Sequence, residues 1–106
     1  MKHHTYWVYI VECSDGSYYT GITNNIERRL WEHNTGYDKK SFTYKRRPVK
    51  LKYCDFFRDV NQAIAFEKQV KGWSRKKKEA LFIEDWQEIV RLSNIKNQTS
   101  SSTGSD

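Results

Sequence analysis

Apolar and polar positions along the first quarter of the chain predict a β-hairpin. The run from Tyr6 to Cys13 is rich in β-branched and aromatic residues, and a second such run extends from Ser17 to Ile22. The segment Ser14-Asp15-Gly16 lies between them, and small polar residues with a glycine are typical of hairpin loops. The sequence therefore predicts two antiparallel strands near the N-terminus.

The length of this loop decides which side chains share a face of the sheet. A two-residue turn would pair Glu12 with Tyr19 and put Tyr9 and Tyr19 on opposite faces. A three-residue loop, with its glycine in the left-handed conformation, would pair Val11 with Tyr19 and turn both tyrosines the same way. Local chemistry allows both arrangements, so the residues alone leave the alternative open.

A helix is predicted between Asn24 and Gly36. Asn24 followed three residues later by Glu27 has the pattern of an N-cap with its capping box, and Gly36 is a typical helix stop. Ile26 and Leu30 mark the side of this helix that faces the core.

Arg29 and His33 are four residues apart beside that apolar stripe, so both can face the sheet. An arginine there could hold a phosphate through two hydrogen bonds, and a histidine could position or protonate an oxygen. The alternative is structural: Arg29 pairs with a buried carboxylate such as that of Glu67, and His33 fills space or caps the helix.

The remaining pattern predicts a third strand from Val49 to Phe57 and a second helix from Asp59 to Lys71. A third helix opens at Ser74, and a last helical stretch begins near Trp86. The predicted fold class is α/β, a small three-stranded, mostly antiparallel sheet flanked by helices. One domain is expected over residues 1–96, with a disordered polar tail over 97–106.

Glu67 is the most informative single residue of the second helix. It falls on the same stripe as Ala63, Phe66 and Val70. Removing a carboxylate from water costs several kcal/mol unless the group is paired or bound to a cation. A salt bridge to Arg29, or a position at the edge of the core, would explain a carboxylate on this stripe. The alternative is that Glu67 is a metal ligand facing a cleft, since Mg²⁺ commonly needs only one or two carboxylates.

The charge distribution points to a polyanionic partner. The net charge is +6 over 106 residues, and residues 1–78 carry 17 lysines and arginines against 8 acidic residues. The body of the protein, and not a tail, is therefore basic, as in nucleic-acid-binding proteins. Phe42 and Tyr44 interleave with the first of two cationic clusters, which suits phosphate contacts together with base stacking. The expected nucleic-acid contacts are Lys39, Lys40, Lys45, Arg46 and Arg47, and then Arg75, Lys76, Lys77 and Lys78.

The cysteines and the hydropathy exclude several other classes. Cys13 and Cys54 lie in strand-like runs without metal-ligand spacing, so buried free thiols are expected and a zinc site is not. No apolar run has the length of a membrane span, and a cytoplasmic location is expected.

Taken in order, the motifs resemble those of the GIY-YIG nuclease family. Trp7-Val8-Tyr9 is similar to the family's first tyrosine motif, and Tyr19-Thr20-Gly21 to its second. The segment from Asn24 to Asn34 resembles the helix that carries the family's arginine and histidine, and Phe66-Glu67 resembles its metal-binding glutamate. The resemblance covers Tyr6 to Ile83 and is nearest to short bacterial members.

The resemblance implies a divalent-metal-dependent endonuclease with one cleft. Glu67 would hold a single Mg²⁺ or Mn²⁺, and Tyr9 or Tyr19 would help to activate the attacking water. Arg29 would stabilise charge on the scissile phosphate, and His33 would assist proton transfer or positioning. A shared cleft also requires the three-residue hairpin loop. The implied substrate is DNA, with branched, nicked or single-stranded forms as candidates.

Two other hypotheses remain open at this point. The chain could be a non-catalytic binder of RNA or DNA, or a nuclease subunit that needs a protein partner for specificity. The sequence also departs from the family pattern: Trp7 and Thr20 replace a glycine and an isoleucine, and the late asparagine of many members has no convincing match.

Overall fold

The structure, a computed structural model, describes residues 5–99, with side chains described up to residue 94. The chain divides into two compact units between Lys71 and Gly72. The elements in chain order are β1 (Tyr6–Glu12), β2 (Tyr18–Thr23), α1 (Ile26–Thr35), a 3₁₀ turn (Tyr44–Arg46), β3 (Lys50–Phe57), α2 (Val60–Lys71), α3 (Arg75–Phe82) and α4 (Trp86–Thr99).

The first unit is built on a three-stranded sheet in the order β2-β1-β3, with both pairings antiparallel. This confirms the predicted fold class. β1 is the central strand, and Val8, Tyr9, Ile10 and Val11 on it have no exposed surface. Because successive strand residues point to opposite faces, both faces of β1 are covered by protein. The chain therefore has side chains and helices on each side of the sheet.

The hairpin has the three-residue loop that brings the two tyrosines to one face. Gly16 has φ of +86°, and its N–H donates to the Cys13 carbonyl at 2.9 Å. Val11 pairs with Tyr19 across the two strands. Tyr9 and Tyr19 therefore lie on the same face, as the shared cleft requires.

α1 begins one residue later than predicted. Its N-cap is Asn25, whose side chain accepts from the Arg28 N–H at 3.0 Å, so the capping box expected at Asn24 is wrong. The Thr23 hydroxyl accepts from the Asn25 N–H and keeps the chain extended up to that residue. The C-terminal stop is confirmed, because Gly36 has φ of +74° and caps the helix.

α2 packs against all three strands of the sheet. Ala63 and Val70 are fully buried, which confirms the predicted apolar stripe. The ring of Phe66 contacts that of Phe57, with centroids 5.4 Å apart. Phe57 pairs with Tyr6.

That pairing locates the two helices on different sides of the sheet. Tyr6 is three residues from Tyr9, so the two side chains point to opposite faces of β1. α2 is therefore anchored on the Tyr6 face, whereas α1 packs on the Tyr9 face, where Ile26 and Leu30 meet the core around Tyr9 and Val11.

The second unit consists of α3 and α4, which pack against each other. Ser74 is the N-cap of α3, as predicted, and its hydroxyl accepts from the Lys77 N–H. α4 continues to Thr99, three residues into the segment expected to be a tail. Residues 100–106 of that expected tail lie outside the described residues.

The two cysteine thiols, both expected to be buried, differ in their exposure. Cys13 is buried, Cys54 is only partly buried, and both are free. Among the described helices, none is long and apolar enough to cross a membrane.

Candidate active site

Tyr9 is the centre of a buried hydrogen-bonded group. Its hydroxyl lies 2.9 Å from Nε2 of His33 and accepts from Nε of Arg29 at 3.3 Å. Gly21 lies directly across the strand pair, and a Cβ there would stand 2.5 Å from the Tyr9 hydroxyl oxygen. The glycine of the second motif is therefore needed to make room for the phenol of the first.

The protonation of this group follows from its burial and its partners. Burial raises the pKa of the Tyr9 phenol to about 12. Burial alone would lower the pKa of Arg29, but hydrogen bonds to Tyr9 and Glu32 outweigh it and raise that pKa above its ordinary value. Nη1 of Arg29 donates to Glu32 at 3.0 Å. At neutral pH the Tyr9 phenol is therefore protonated, and it lies beside the positively charged guanidinium of Arg29.

His33 is almost completely buried, and both of its ring nitrogens have partners. Nε2 contacts the Tyr9 hydroxyl, and Nδ1 lies 2.7 Å from Oγ1 of Thr43. Burial, and then the charge of Arg29, lower the pKa of His33 to about 4. The imidazole is therefore neutral at pH 7. Of the two roles expected for His33, this arrangement favours positioning over proton transfer to a substrate.

Tyr19 shares the face of this group but not its hydrogen bonds. Its ring lies 6.3 Å from that of Tyr9 and 5.4 Å from that of His33, and it stacks on Phe42 with an interplanar angle of 18°. Within the described part of the chain, no side chain or backbone group hydrogen-bonds the Tyr19 hydroxyl. This partly exposed phenol is open to a bound molecule.

Glu67 lies on α2, apart from this hydrogen-bonded group. Its side chain is 12 % exposed and pairs with Lys71 at 3.1 Å. The salt bridge weighed between Arg29 and Glu67 is not formed, since Arg29 pairs with Glu32. The structure thus brings together Tyr9, Tyr19, Arg29 and His33, while Glu67 stands on the helix anchored on the other face.

The donor chemistry at Glu67 fits a divalent cation. A carboxylate that is largely removed from water has Lys71 as its counter-charge, and the Lys71 side chain is 61 % exposed. A salt bridge to such an exposed ammonium contributes little stability, so it leaves the carboxylate available to a divalent ion. Among the described residues no group of three or more acidic, histidine or cysteine side chains could hold a metal. Water and substrate phosphate would therefore complete the shell of Mg²⁺.

The basic loop between α1 and β3 divides into exposed cations and structural ones. Lys39, Lys40 and Lys45 are exposed. Arg46 pairs with Asp15 at 3.1 Å and lies over the ring of Phe42. Arg47 lies over the ring of Tyr44. The three lysines are therefore the part of this loop best placed to meet a phosphate backbone.

The second basic segment is less uniform than its sequence indicates. Lys77 is buried, with its ammonium 4.5 Å from the ring centroid of Trp73. Arg75 pairs with Glu79 at 3.3 Å, and Lys76 is exposed. Helical periodicity turns Lys77 inwards and leaves only 9 % of it exposed, which contradicts its expected role as a nucleic-acid contact.

Sequence reasoning missed two residues of the site. Thr43 is the first: an isolated threonine in a polar loop carries no periodic signal that would indicate its contact with His33. Glu32 is the second: it pairs with Arg28 at 3.7 Å and more closely with Arg29, at 3.0 Å. The sequence does hold a signal for this contact, because residues three apart on a helix, such as Arg29 and Glu32, are neighbours on its surface.

Comparison with known proteins defines the class of the chain. The family of the GIY-YIG catalytic domain matches residues 5–80. The chain belongs to this family, as the resemblance of its motifs indicated, and the family is one of nucleases.

The chain also aligns with individual relatives over most of their lengths. A UPF0213 protein of Bacillus pumilus is 42 % identical over 85 residues, which cover 80 % of this chain and 85 % of the relative. A UPF0213 protein of Halobacterium salinarum is 46 % identical over 80 residues, covering 76 % and 99 %. The solution NMR structure of a protein from E. faecalis is 36 % identical with a TM-score of 0.54, covering 82 % of this chain and 88 % of that one.

Proposed function

We propose that this protein is a divalent-metal-dependent endonuclease that hydrolyses phosphodiester bonds in DNA. The family supports nuclease chemistry, and the basic body of the chain supports a nucleic-acid substrate. The observation that carries the proposal is the open phenol of Tyr19 beside the buried group of Tyr9, Arg29 and His33.

Tyr19 is the proposed general base. A base must reach the water whose proton it takes, and the Tyr19 hydroxyl has no competing partner among the described residues. Tyr9 is unsuited to this task, because it is fully buried, its hydroxyl is engaged, and its pKa is raised. Its contribution is to hold Arg29 and His33 in place.

Arg29 is proposed to stabilise the negative charge that grows on the scissile phosphate. Its Nε and Nη1 are held by Tyr9 and Glu32, which fixes the plane of the guanidinium. Nη2 remains for a phosphate oxygen. A donor fixed before the substrate arrives need not reorganise during the reaction, and that is the source of its catalytic value.

Glu67 is proposed to hold Mg²⁺ or Mn²⁺. Since α2 is anchored on the face opposite to Tyr19, the phosphodiester that meets both residues is proposed to lie at the outer edge of β2, the edge strand that carries Tyr19 and against which α2 also packs. When bound, such a cation stabilises the charge on the leaving oxygen of the displaced phosphodiester. Glu67 itself supplies a largely desolvated carboxylate, and Lys71 is the group that the cation would displace. Replacing Lys71 with methionine should therefore lower the Mg²⁺ concentration needed for half-maximal cutting.

The exposed lysines of the loop, Lys39, Lys40 and Lys45, are proposed to neutralise the phosphate backbone next to the cleft. Such contacts release counterions, so binding should weaken steeply with salt. Branched, nicked and single-stranded DNA are the substrate forms to compare with a plain duplex.

The proposal is tested by cleavage of labelled DNA with Mg²⁺, with Mn²⁺ and with EDTA. Glu67→Gln should abolish cutting while the fold is kept. Glu79→Gln is the matched control, because it removes another glutamate paired with a basic residue four positions away on a helix.

The possible results separate the alternatives. If the parent and Glu67→Gln cut equally, the metal assignment is wrong. If neither cuts any DNA or RNA while both bind with strong salt dependence, the chain is a non-catalytic binding module. Cutting of a plain duplex by the purified chain would argue against the need for a partner subunit.

A further inference from the structure

Thr43 is a buried polar residue to which the proposed chemistry assigns no task. It comes from the loop between α1 and β3, and its side chain is among the most deeply buried in the protein. Its hydroxyl lies 2.7 Å from Nδ1 of His33 and 3.0 Å from the Ser41 hydroxyl, and its own N–H donates to Ser41 at 3.3 Å. The loop thus holds the Thr43 hydroxyl in a fixed position against the imidazole of His33.

The hydrogen bonds around Tyr9 determine where the proton of the neutral imidazole lies. Nε of Arg29 can only donate, so the Tyr9 oxygen accepts from it. Tyr9 has no exposed surface, so its hydroxyl proton needs an acceptor inside the protein. His33 Nε2, at 2.9 Å, is that acceptor. A neutral ring that accepts at Nε2 carries its proton on Nδ1, and Thr43 receives it.

The direction of the remaining bonds then follows. Thr43 accepts from His33 Nδ1, and its own hydroxyl donates to the Ser41 hydroxyl oxygen. The chain of donors runs from Arg29 through Tyr9 and His33 to Thr43 and Ser41. In the other tautomer, Nε2 would donate to the Tyr9 oxygen, and the Tyr9 proton would have no acceptor. That arrangement would leave a buried donor unsatisfied, at a cost of about 1–3 kcal/mol.

We propose that Thr43 is a positioning residue that holds His33 in the Nδ1–H tautomer and so keeps the lone pairs of Tyr9 turned towards Arg29. Loss of the Thr43 acceptor lets the imidazole change tautomer or rotate. The Tyr9 oxygen then no longer fixes Nε of Arg29. The tautomer stands on the geometry alone, while its effect on cutting rests on the proposed function.

The neighbouring residues of the loop support this placement. Phe42, directly before Thr43, stacks on Tyr19. The same stretch of chain therefore holds the ring of the proposed base and the imidazole that orients the other tyrosine. Arg46 fastens the loop to the hairpin, through Asp15 and through its carbonyl, which accepts from the Ser14 N–H at 2.8 Å.

The test is nitrogen NMR of the His33 ring, assigned by its loss in His33→Asn. In the parent at pH 7, Nδ1 should show the shift of a protonated nitrogen and Nε2 that of an unprotonated one. Thr43→Val keeps the shape but removes the acceptor, so the two nitrogens should move towards averaged shifts. Thr43→Ser keeps the hydroxyl and should restore the parental pattern. Thr35→Val, at an exposed threonine of α1, is the matched control.

Single-turnover cutting gives the second readout. Thr43→Val should lose about tenfold in the rate of the chemical step, because a small misplacement of a charge-stabilising group slows the reaction. The KM from steady-state cutting should be unchanged. Thr43→Ser should retain most of the parental rate.

Two results would overturn the proposal. One is a parental spectrum with the proton on Nε2, which can be recorded even if Thr43→Val does not fold. The other is a Thr43→Val protein with the parental tautomer and rate. If the tautomer responds as expected while no variant cuts nucleic acid, the positioning by Thr43 stands and the proposed function fails.

Discussion

The Tyr9 hydroxyl lies 2.9 Å from Nε2 of His33, and this contact joins the central strand of the sheet to α1. The two residues are 24 positions apart, and each is buried. If either side chain is removed, the other loses a hydrogen-bond partner inside the protein. The pair therefore links the stability of the fold to the geometry of the site, and substitutions should separate the two effects.

The two tyrosines should respond differently to removal of the hydroxyl. Tyr9→Phe leaves Arg29 and His33 without their common partner and should lower the free energy of unfolding by about 1–3 kcal/mol. Tyr19→Phe removes an open hydroxyl and should change stability by less than about 0.5 kcal/mol. Its cutting rate should nevertheless fall by about 10² or more.

Urea unfolding and single-turnover cutting of both variants check this prediction. Equal losses of stability, or a Tyr19→Phe protein that cuts at the parental rate, would show that the roles are assigned wrongly.

Stability should fall with acidification because His33 is buried in its neutral form. Its pKa is about 4 in the folded state against an ordinary 6.5. Above pH 6.5 neither state takes up the proton. Between 6.5 and 4 the unfolded chain binds it and the folded chain does not, so the free energy of unfolding drops, by roughly 3 kcal/mol in all.

Urea unfolding at pH 7, 6 and 5 measures this drop, and His33→Gln should show less of it. Carboxylates titrate in both proteins below pH 5. The effect of His33 is therefore the difference between the two pH profiles. Parallel pH profiles for the parent and His33→Gln would contradict the burial of a neutral imidazole.

Glycine is required at position 21 for a steric reason and at position 16 for a backbone reason. Gly21→Ala would place a Cβ 2.5 Å from the Tyr9 hydroxyl oxygen, so the phenol must move. We expect a loss of about 1–3 kcal/mol in stability and of most cutting activity. Gly16→Ala meets open space and should cost about 1 kcal/mol through its positive φ alone, with activity retained.

Thermal unfolding and cutting assays on the two alanine variants provide the comparison. A Gly21→Ala protein as active as Gly16→Ala would mean that the close approach of Tyr9 to β2 is dispensable.

The exposed lysines of the loop should set the salt dependence of DNA binding. Lys40→Gln should weaken binding to all sequences alike and reduce the slope of log K against log salt by about 1. Arg58→Gln, at an exposed arginine directly after β3 to which no role is assigned, is the control. Binding isotherms at three salt concentrations would contradict the assignment if both substitutions changed the slope equally.

Much of this fold, and the grouping of four candidate site residues, was predictable, because both depend on regular periodicity. Alternation along the hairpin and the four-residue spacing of Arg29 and His33 place side chains on faces without tertiary information. The hairpin loop itself was ambiguous by one residue, and only the resemblance to a family chose between the two registers.

What could not be predicted lies in irregular or tertiary structure. Thr43 comes from a loop whose path depends on its own tertiary contacts, and a single threonine gives no pattern. Lys77 looks like one of four solvent-facing cations, but its position on α3 turns it onto Trp73. The N-cap of α1 shifted by one residue because the Thr23 hydroxyl, a local competitor for backbone hydrogen bonds, holds Asn25.

The proposed function requires a cation held by Glu67 and the phenol of Tyr19 to act on the same phosphodiester. Titration with Mn²⁺, followed by paramagnetic broadening of assigned NMR signals, tests it without any assumption about substrate. We expect early broadening of both Glu67 and the ring of Tyr19, and loss of both effects in Glu67→Gln. Broadening confined to α2 while the Tyr19 ring stays sharp, or broadening that persists in Glu67→Gln, would contradict it.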